Sequence, residues 1–316
     1  MKPEDSDYAP FAAARQDASH TPAALDGFEV IDAHAHVFPP RVFEAVWRWF
    51  DRYGWPIAYK LQARDVIGFL RARGISRVVG LHYAHVPGMA ASLNRFAADL
   101  AREEPSLLAC GTVLPGEPGA RAILDEALGP LGLRGVKIHC HVQCLAPDDP
   151  RLDDVYDAAA AHGVPVVIHA GNAPSSPHYA CDVDALCTPA ATARALHRHP
   201  RTQVIVPHLG TQHVAEYTAL LDEHPGLHLD TTMTLGGFVP AGTFEHSADA
   251  FPADLAARAR DLVTRFPDRI LYGSDFPNVP YAWDRELRAI AAWDLPPAPL
   301  AAFLAGNARR LFHINE

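Results

Sequence analysis

Short apolar runs of five to seven residues alternate along this chain with longer stretches in which apolar positions recur every three or four residues. Runs of that length, rich in Val, Ile and Leu and bounded by turn residues, read as strands buried on both faces of a parallel sheet. Strands are predicted near 29–33, 76–82, 107–113, 134–139, 164–169, 203–208, 227–232 and 269–274. Helical periodicity fills the intervals at 63–73, 89–103, 121–128, 152–162, 189–199, 214–224 and 252–266, several of them closing on Gly or Pro. Regular strand–helix alternation implies parallel strands joined by right-handed crossovers, and eight such units match the size of a (β/α)8 barrel. A doubly wound open sheet is the alternative, but it would carry a glycine-rich turn after strand one, where this chain has histidines.

Composition supports one large domain. The 316 residues are 49% hydrophobic and 20% charged, enough to bury a sizeable core, and no break in composition marks a second unit. The expected organisation is an N-terminal arm over 1–27 and a single domain over 28–316. A net charge of -10 without a basic cluster argues against nucleic acid or an anionic membrane surface as the main partner. No transmembrane run appears, and the first residues lack a basic stretch followed by an apolar core, so a cytoplasmic location is expected. Five cysteines, an odd number without a Cys-x-x-Cys pair, argue against a disulfide framework. Cys140 and Cys144 flank the loop after strand four, where packing is the simplest role.

Eighteen histidines focus attention on strand ends. His34-Ala35-His36 closes strand one, and residues two apart on a strand point the same way, so both imidazoles can converge on one cation. Three later strands stop in the same manner, at His169-Ala170-Gly171, His208-Leu209-Gly210 and Asp275-Phe276-Pro277. Singly, His169 reads as a core histidine, His208 as a helix cap and Asp275 as an N-cap. Jointly they fall at the carboxyl ends of successive strands, where a barrel builds its active face. Two excursions on that face, 38–62 with Trp47, Trp49, Trp55 and Tyr59 and 233–251 with Gly236-Gly237, are expected to shape or cover the site. For the first, a surface helix packing its tryptophans on the barrel is an equal reading. Lys137, His139, His141, Gln143 and Tyr83 are candidate substrate contacts, whereas His82 and His85 read as solvated polar positions.

Ile31-Asp32-Ala33-His34-Ala35-His36, Gly135-Val136-Lys137-Ile138-His139, Val167-Ile168-His169-Ala170-Gly171, Pro207-His208-Leu209-Gly210, Tyr272-Gly273-Ser274-Asp275-Phe276-Pro277 and Gly306-Asn307-Ala308 form an ordered set from about residue 28 to the end. That set resembles the amidohydrolase superfamily in its amidohydrolase-related branch. The resemblance implies a distorted TIM (β/α)8 barrel with loop insertions over the C-terminal face. It also implies one divalent metal ion, zinc first and manganese second, with hydrolases and non-oxidative decarboxylases both among the members. Carried over by position, His34, His36, His169 and Asp275 are the implied ligands, with Asp275 and His208 as the catalytic pair. Members with two metals bridge them through a carboxylated lysine at the end of strand four. Lys137 falls on that strand, but is read as too deep to bridge, which favours a single ion and leaves Lys137 to pair with a carboxylate or orient substrate.

The expected function is metal-dependent hydrolysis of a small carboxylate-bearing or cyclic molecule through a metal-activated water. The alternative is decarboxylation of an aromatic or dienoic acid. A third reading, a barrel that keeps its metal for binding or stability only, is disfavoured by the titratable neighbours His139, His141 and Tyr83. The implied partner is a small molecule, and a family habit of dimers leaves a homodimer open.

Overall fold

The computed structural model describes Ala14, residues 17–171, Ser176, residues 178–235 and residues 254–314. Among the described residues eight strands lie within the predicted apolar runs or run on from them: β1 (Ile31–His36), β2 (Arg77–Leu81), β3 (Leu107–Ala109), β4 (Val136–His139), β5 (Val166–His169), β6 (Val204–Val206), β7 (Leu227–Asp230) and β8 (Ile270–Leu271). All pair in parallel and in chain order, β1 to β3 in one sheet and β4 to β8 in another. Two parallel bridges, Gly111 with Val136 and Ala35 with Phe276, join the sheets into a closed barrel. At these two seams β3 and β8 are shorter than the apolar runs suggested. Irregular backbone continues the pairing there, with Gly111 N–H donating to Gly135 O at 2.8 Å and Ala33 N–H to Tyr272 O at 3.0 Å.

Side-chain parity explains which residues face the lumen. Ile31, Ala33, Val79, Leu81, Cys110, Val167, Ile205 and Leu271 form one inner cluster, joined by Ala305, Ala308, Leu311 and Phe312 from the C-terminal helical segment. Val136, Ile138, Val166, Ile168, Val204, Val206, Leu227 and Leu229 belong instead to the larger cluster beneath the helices. By alternation Lys137, His139, His169 and Asp230 therefore point inward. Strand β1 breaks the alternation. Ile31 and Ala33 lie in the inner cluster but Ala35 in the outer one, and the register against β2 shifts between Asp32 and Ala35. This bulge turns His34 and His36 into the lumen.

The excursion after β1 is a helix, Pro40–Tyr53, entered through Pro39-Pro40, with proline at a first-turn position where its missing N–H costs nothing. Both expectations for this segment hold in part. Trp47, Trp55 and Tyr59 are buried in the core, whereas Trp49 and Phe50 wall a cavity over the barrel mouth. Most of the second excursion, 233–251, lies outside the described residues. The described end of the arm lies against the barrel: Tyr59 Oη donates to Asp17, Trp283 Nε1 to Ser19, and Thr21 N–H to Arg73 O at 3.0 Å. His82 corrects the sequence reading, since it is fully buried rather than solvated, its Nε2 lying 3.4 Å from Asn94 Oδ1. Among the described residues no helix is long and apolar enough to cross a membrane.

Candidate metal centre

Three strand-end side chains meet at the β1/β8 seam. Ligand atoms of His34, His36 and Asp275, all buried, lie within 4.8 Å of one another. His36 Nε2 is 3.0 Å and His34 Nε2 3.4 Å from the same Asp275 oxygen. Gly273, two residues before Asp275, makes this approach possible, because a Cβ there would sit 2.8 Å from the Cβ of His34 and 2.8 Å from Thr232 Cγ2. Asp275 itself takes a left-handed conformation, φ 62°, and its N–H donates to His34 O at 2.9 Å. Beneath them Asp32 accepts from His34 N–H, Ser274 N–H and the Ser274 hydroxyl, tying the two strand ends together.

Asp230, at the end of β7, orients the first of these candidate ligands. Its Oδ2 lies 2.8 Å from His34 Nδ1, while Oδ1 accepts from His208 N–H, Thr232 N–H and the Thr232 hydroxyl. A carboxylate facing Nδ1 draws the ring proton there and leaves the Nε2 lone pair aimed at Asp275, the usual support for a metal-binding histidine. His208 is set in the same way. Its Nδ1 lies 2.9 Å from Thr232 O, a group that only accepts, so Nδ1 carries the proton and Nε2 is free to take one.

Reaching that position strains the backbone after β6. His208, Leu209, Gly210 and Thr211 all have positive φ, 58°, 53°, 73° and 53°, conformations that cost L-residues energy and cluster at functional sites. Gly210 is packed so closely that a Cβ would fall 2.0 Å from Tyr217 Cδ2.

Burial sets the charge states. It pushes the His34 imidazole down to about 4, aided by the Lys137 charge and opposed by Asp230 and Asp275. It likewise holds His139 and His169 well below the ordinary imidazole range, reinforced by neighbouring histidines. These rings are neutral at pH 7 and present lone pairs. Burial alone would raise Asp275 and Asp230, yet the hydrogen bonds of His36 to Asp275 and of His34 and Thr232 to Asp230, together with the neighbouring imidazoles, outweigh it and hold both carboxyls below their ordinary range. Lys137, fully buried, is pushed down to about 8 by desolvation, and its Nζ lies 3.5 Å from His34 Nε2. Lys137 thus stands beside the first residue of the group of three. Two buried carboxylates facing one weakened ammonium and several neutral imidazoles form a donor set with excess negative charge, which suits a divalent cation.

His169 borders the same inner chamber, stacked on His139 with ring centroids 4.3 Å apart, but stands outside the tight group of three. That chamber, about 40 Å³, is also lined by His36, Lys137, His208 and Asp275. It adjoins an outer cavity of about 370 Å³ walled by Val42, Val46, Trp49 and Phe50 of the excursion helix and by His141 and Tyr179. Phe50, Tyr83, His139 and Tyr179 line both spaces and form the neck. Of the candidate substrate contacts, Lys137 stands in the inner chamber, His139 and Tyr83 at the neck and His141 outside it. Gln143 is turned away, its amide donating to Ala84 O and Val113 O. Asp230 was missed, although Leu227-His228-Leu229-Asp230 ends as the other site strands do.

The sequence matches the family profile described as Amidohydrolase over residues 31–314. A search of curated proteins returns no match. Among solved structures, an uncharacterised TIM-barrel protein from Bordetella bronchiseptica is similar at 21% identity and a TM-score of 0.67, covering 90% of this chain and 98% of that one. The 5-carboxyvanillate decarboxylase of Sphingomonas paucimobilis is similar at 16% identity and a TM-score of 0.60, covering 91% and 100%. A 2,6-dihydroxybenzoate decarboxylase from Rhizobium aligns at 18% identity and a TM-score of 0.60, covering 92% and 100%. With its profile match spanning most of the chain and its parallel barrel closed around the His34, His36 and Asp275 cluster, this protein belongs to the amidohydrolase family.

Proposed function

We propose that the protein is a metal-dependent hydrolase of a small molecule with a carboxylate or cyclic acyl group and an apolar body. The observation that carries this reading is the convergence of His34 Nε2, His36 Nε2 and Asp275 Oδ1, with a proton-accepting His208 on the same chamber. His34, His36 and Asp275 would hold one divalent cation, zinc or manganese, with His169 as the further ligand. When bound, such an ion supplies Lewis acidity that polarises an oxygen of water or substrate. Asp275, kept ionised, accepts the proton of the attacking water, and His208 Nε2 moves a second proton at the leaving group. The Lys137 ammonium anchors an anionic oxygen of the substrate. Phe50, Tyr83 and Tyr179 at the neck exclude bulk water, which strengthens each of these interactions. The outer cavity holds the rest of the molecule, and its apolar wall suits an uncharged or aromatic body.

A second reading, loss of carbon dioxide from an aromatic acid, draws on two observations. The neighbours with named activities include decarboxylases of aromatic acids, one of them with bound manganese. The cavity wall here is itself aromatic, with Trp49, Phe50 and Tyr179. Metal-loaded protein offered a panel of lactones, anilides and hydroxybenzoates in ¹⁸O-water separates the two. Label entering a product carboxylate supports hydrolysis; carbon dioxide release with an unlabelled product overturns it in favour of the second reading.

A further inference from the structure

The mechanism uses none of the five cysteines, and four of them gather around one short helix, Cys140–Gln143, which carries His141 to the outer cavity. Cys144 Sγ and Cys181 Sγ both donate to the same acceptor, His141 O, at 3.6 and 3.5 Å. The two sulfurs are thus neighbours around one carbonyl oxygen, although 37 positions separate them in the chain. Beneath them Cys187 touches Cys140, and this second pair is buried, whereas Cys144 and Cys181 are partly exposed.

Four sulfurs near an imidazole raise a soft-metal site as the competing idea. Among the described residues, however, His34, His36 and Asp275 are the one set of three metal-binding groups with ligand atoms within 4.8 Å of one another. The thiols assemble as pairs, which is the arrangement a disulfide needs.

We propose that Cys144 and Cys181 are an oxidisable pair, closed to a disulfide by a peroxide across the wall of the outer cavity. One thiol sulfur attacks the peroxide, the O–O bond breaks, and a sulfenic acid and one water result. The second sulfur then displaces hydroxide from the first, the S–S bond forms, and a second water leaves with the remaining thiol proton. Overall the two sulfurs lose two electrons and hydrogen peroxide gains them. Tyr179 and Ala180 immediately precede Cys181, and His141 and Val142 lie just before Cys144; all four line the outer cavity. Closure therefore fastens two segments of the cavity wall to each other.

The test treats the full-length metal-loaded chain with hydrogen peroxide, then alkylates it under denaturing conditions and maps peptides without reduction. The expected result is a fall in alkylated thiols from five to three, with one cross-linked pair joining Cys144 to Cys181 that dithiothreitol releases. Cys144→Ser and Cys181→Ser each abolish the cross-link, and Cys110→Ser retains it. Closure also raises the melting temperature by roughly 5 °C, a shift absent in Cys181→Ser. Oxidation to sulfinic acid without a 144–181 link, a link confined to Cys140 and Cys187, or protection of the thiols by stoichiometric zinc would each overturn the assignment.

Discussion

Replacing Asp230 by Asn isolates the support of His34 from the rest of the site. The carboxylate receives three donors on Oδ1, from His208 N–H, Thr232 N–H and the Thr232 hydroxyl, and faces His34 Nδ1 with Oδ2 at 2.8 Å. An asparagine of the same shape keeps its carbonyl on the side of the three donors, so its NH₂ faces His34. The ring must then accept at Nδ1 and carry its proton on Nε2, the atom that points to Asp275. A protonated nitrogen is no ligand, and loss of such an outer partner costs 10- to 100-fold in metal affinity, or about 1.4–2.8 kcal/mol. Folding stability should change far less, because the three donors keep their acceptor and the fourth hydrogen bond is remade in the opposite direction. Asp230→Ala would strand every donor and cost about 3–5 kcal/mol of stability, so it cannot separate the two effects. Metal content after dialysis against graded chelator, paired with melting of the metal-free proteins, checks the prediction. Asp230→Asn that retains metal like the parent while melting at the same temperature would refute the reasoning.

Gly210→Ala should be the most damaging single methyl in the barrel, combining a left-handed φ of 73° with a Cβ 2.0 Å from Tyr217. Strain and overpacking together cost about 3 kcal/mol, a melting drop of roughly 5–10 °C in calorimetry, and an unchanged melting point would show that the turn relaxes freely. His208→Asn, which cannot take a proton, should lower kcat by about 10²–10⁴-fold with the metal content intact; equal kcat would remove His208 from the chemistry. One equivalent of zinc or manganese per chain is expected even with excess bicarbonate, and two equivalents that track bicarbonate would assign Lys137 a bridging role. The Arg309 hydrogen bond beside Glu29 holds that carboxyl below its ordinary 4.5, opposed by partial burial and assisted by Ser76. The pair's contribution, about 1 kcal/mol at this exposure, is therefore complete above that value and is lost as the pH falls through the lowered one. Glu29→Gln should remove this acid-side slope in denaturant titrations across roughly pH 3–5, and an unaltered slope would rule the pair out as its source.

Strand positions were legible because buried parallel strands leave short apolar runs, and the recurrence of His or Asp at their ends pointed to one face. The bulge in β1 was not, since His34 and His36 share a face with or without it; only their packing reveals that the alternation changes after Ala33. Asp230 escaped notice because an aspartate at a strand end also reads as an ordinary turn residue. The partition of Trp47 into the core and Trp49 into the cavity depends on how the proline entry rotates the helix against the barrel, which local periodicity does not encode. His82 was misread for a similar reason. Its burial is decided by Asn94, whose amide also serves Thr112 on the neighbouring loop.

The candidate ligands straddle the join between the first strand and the last, with 239 positions between His36 and Asp275. An ion held there would work as a rivet as well as a reagent. Its capture demands that both ends of the barrel wall already be in place, so truncation at the C-terminal side should abolish metal uptake before any catalytic measurement is made. Conversely, ligation should raise the resistance of that seam to opening, so local exchange around β1 and β8 ought to slow far more than exchange on the opposite wall.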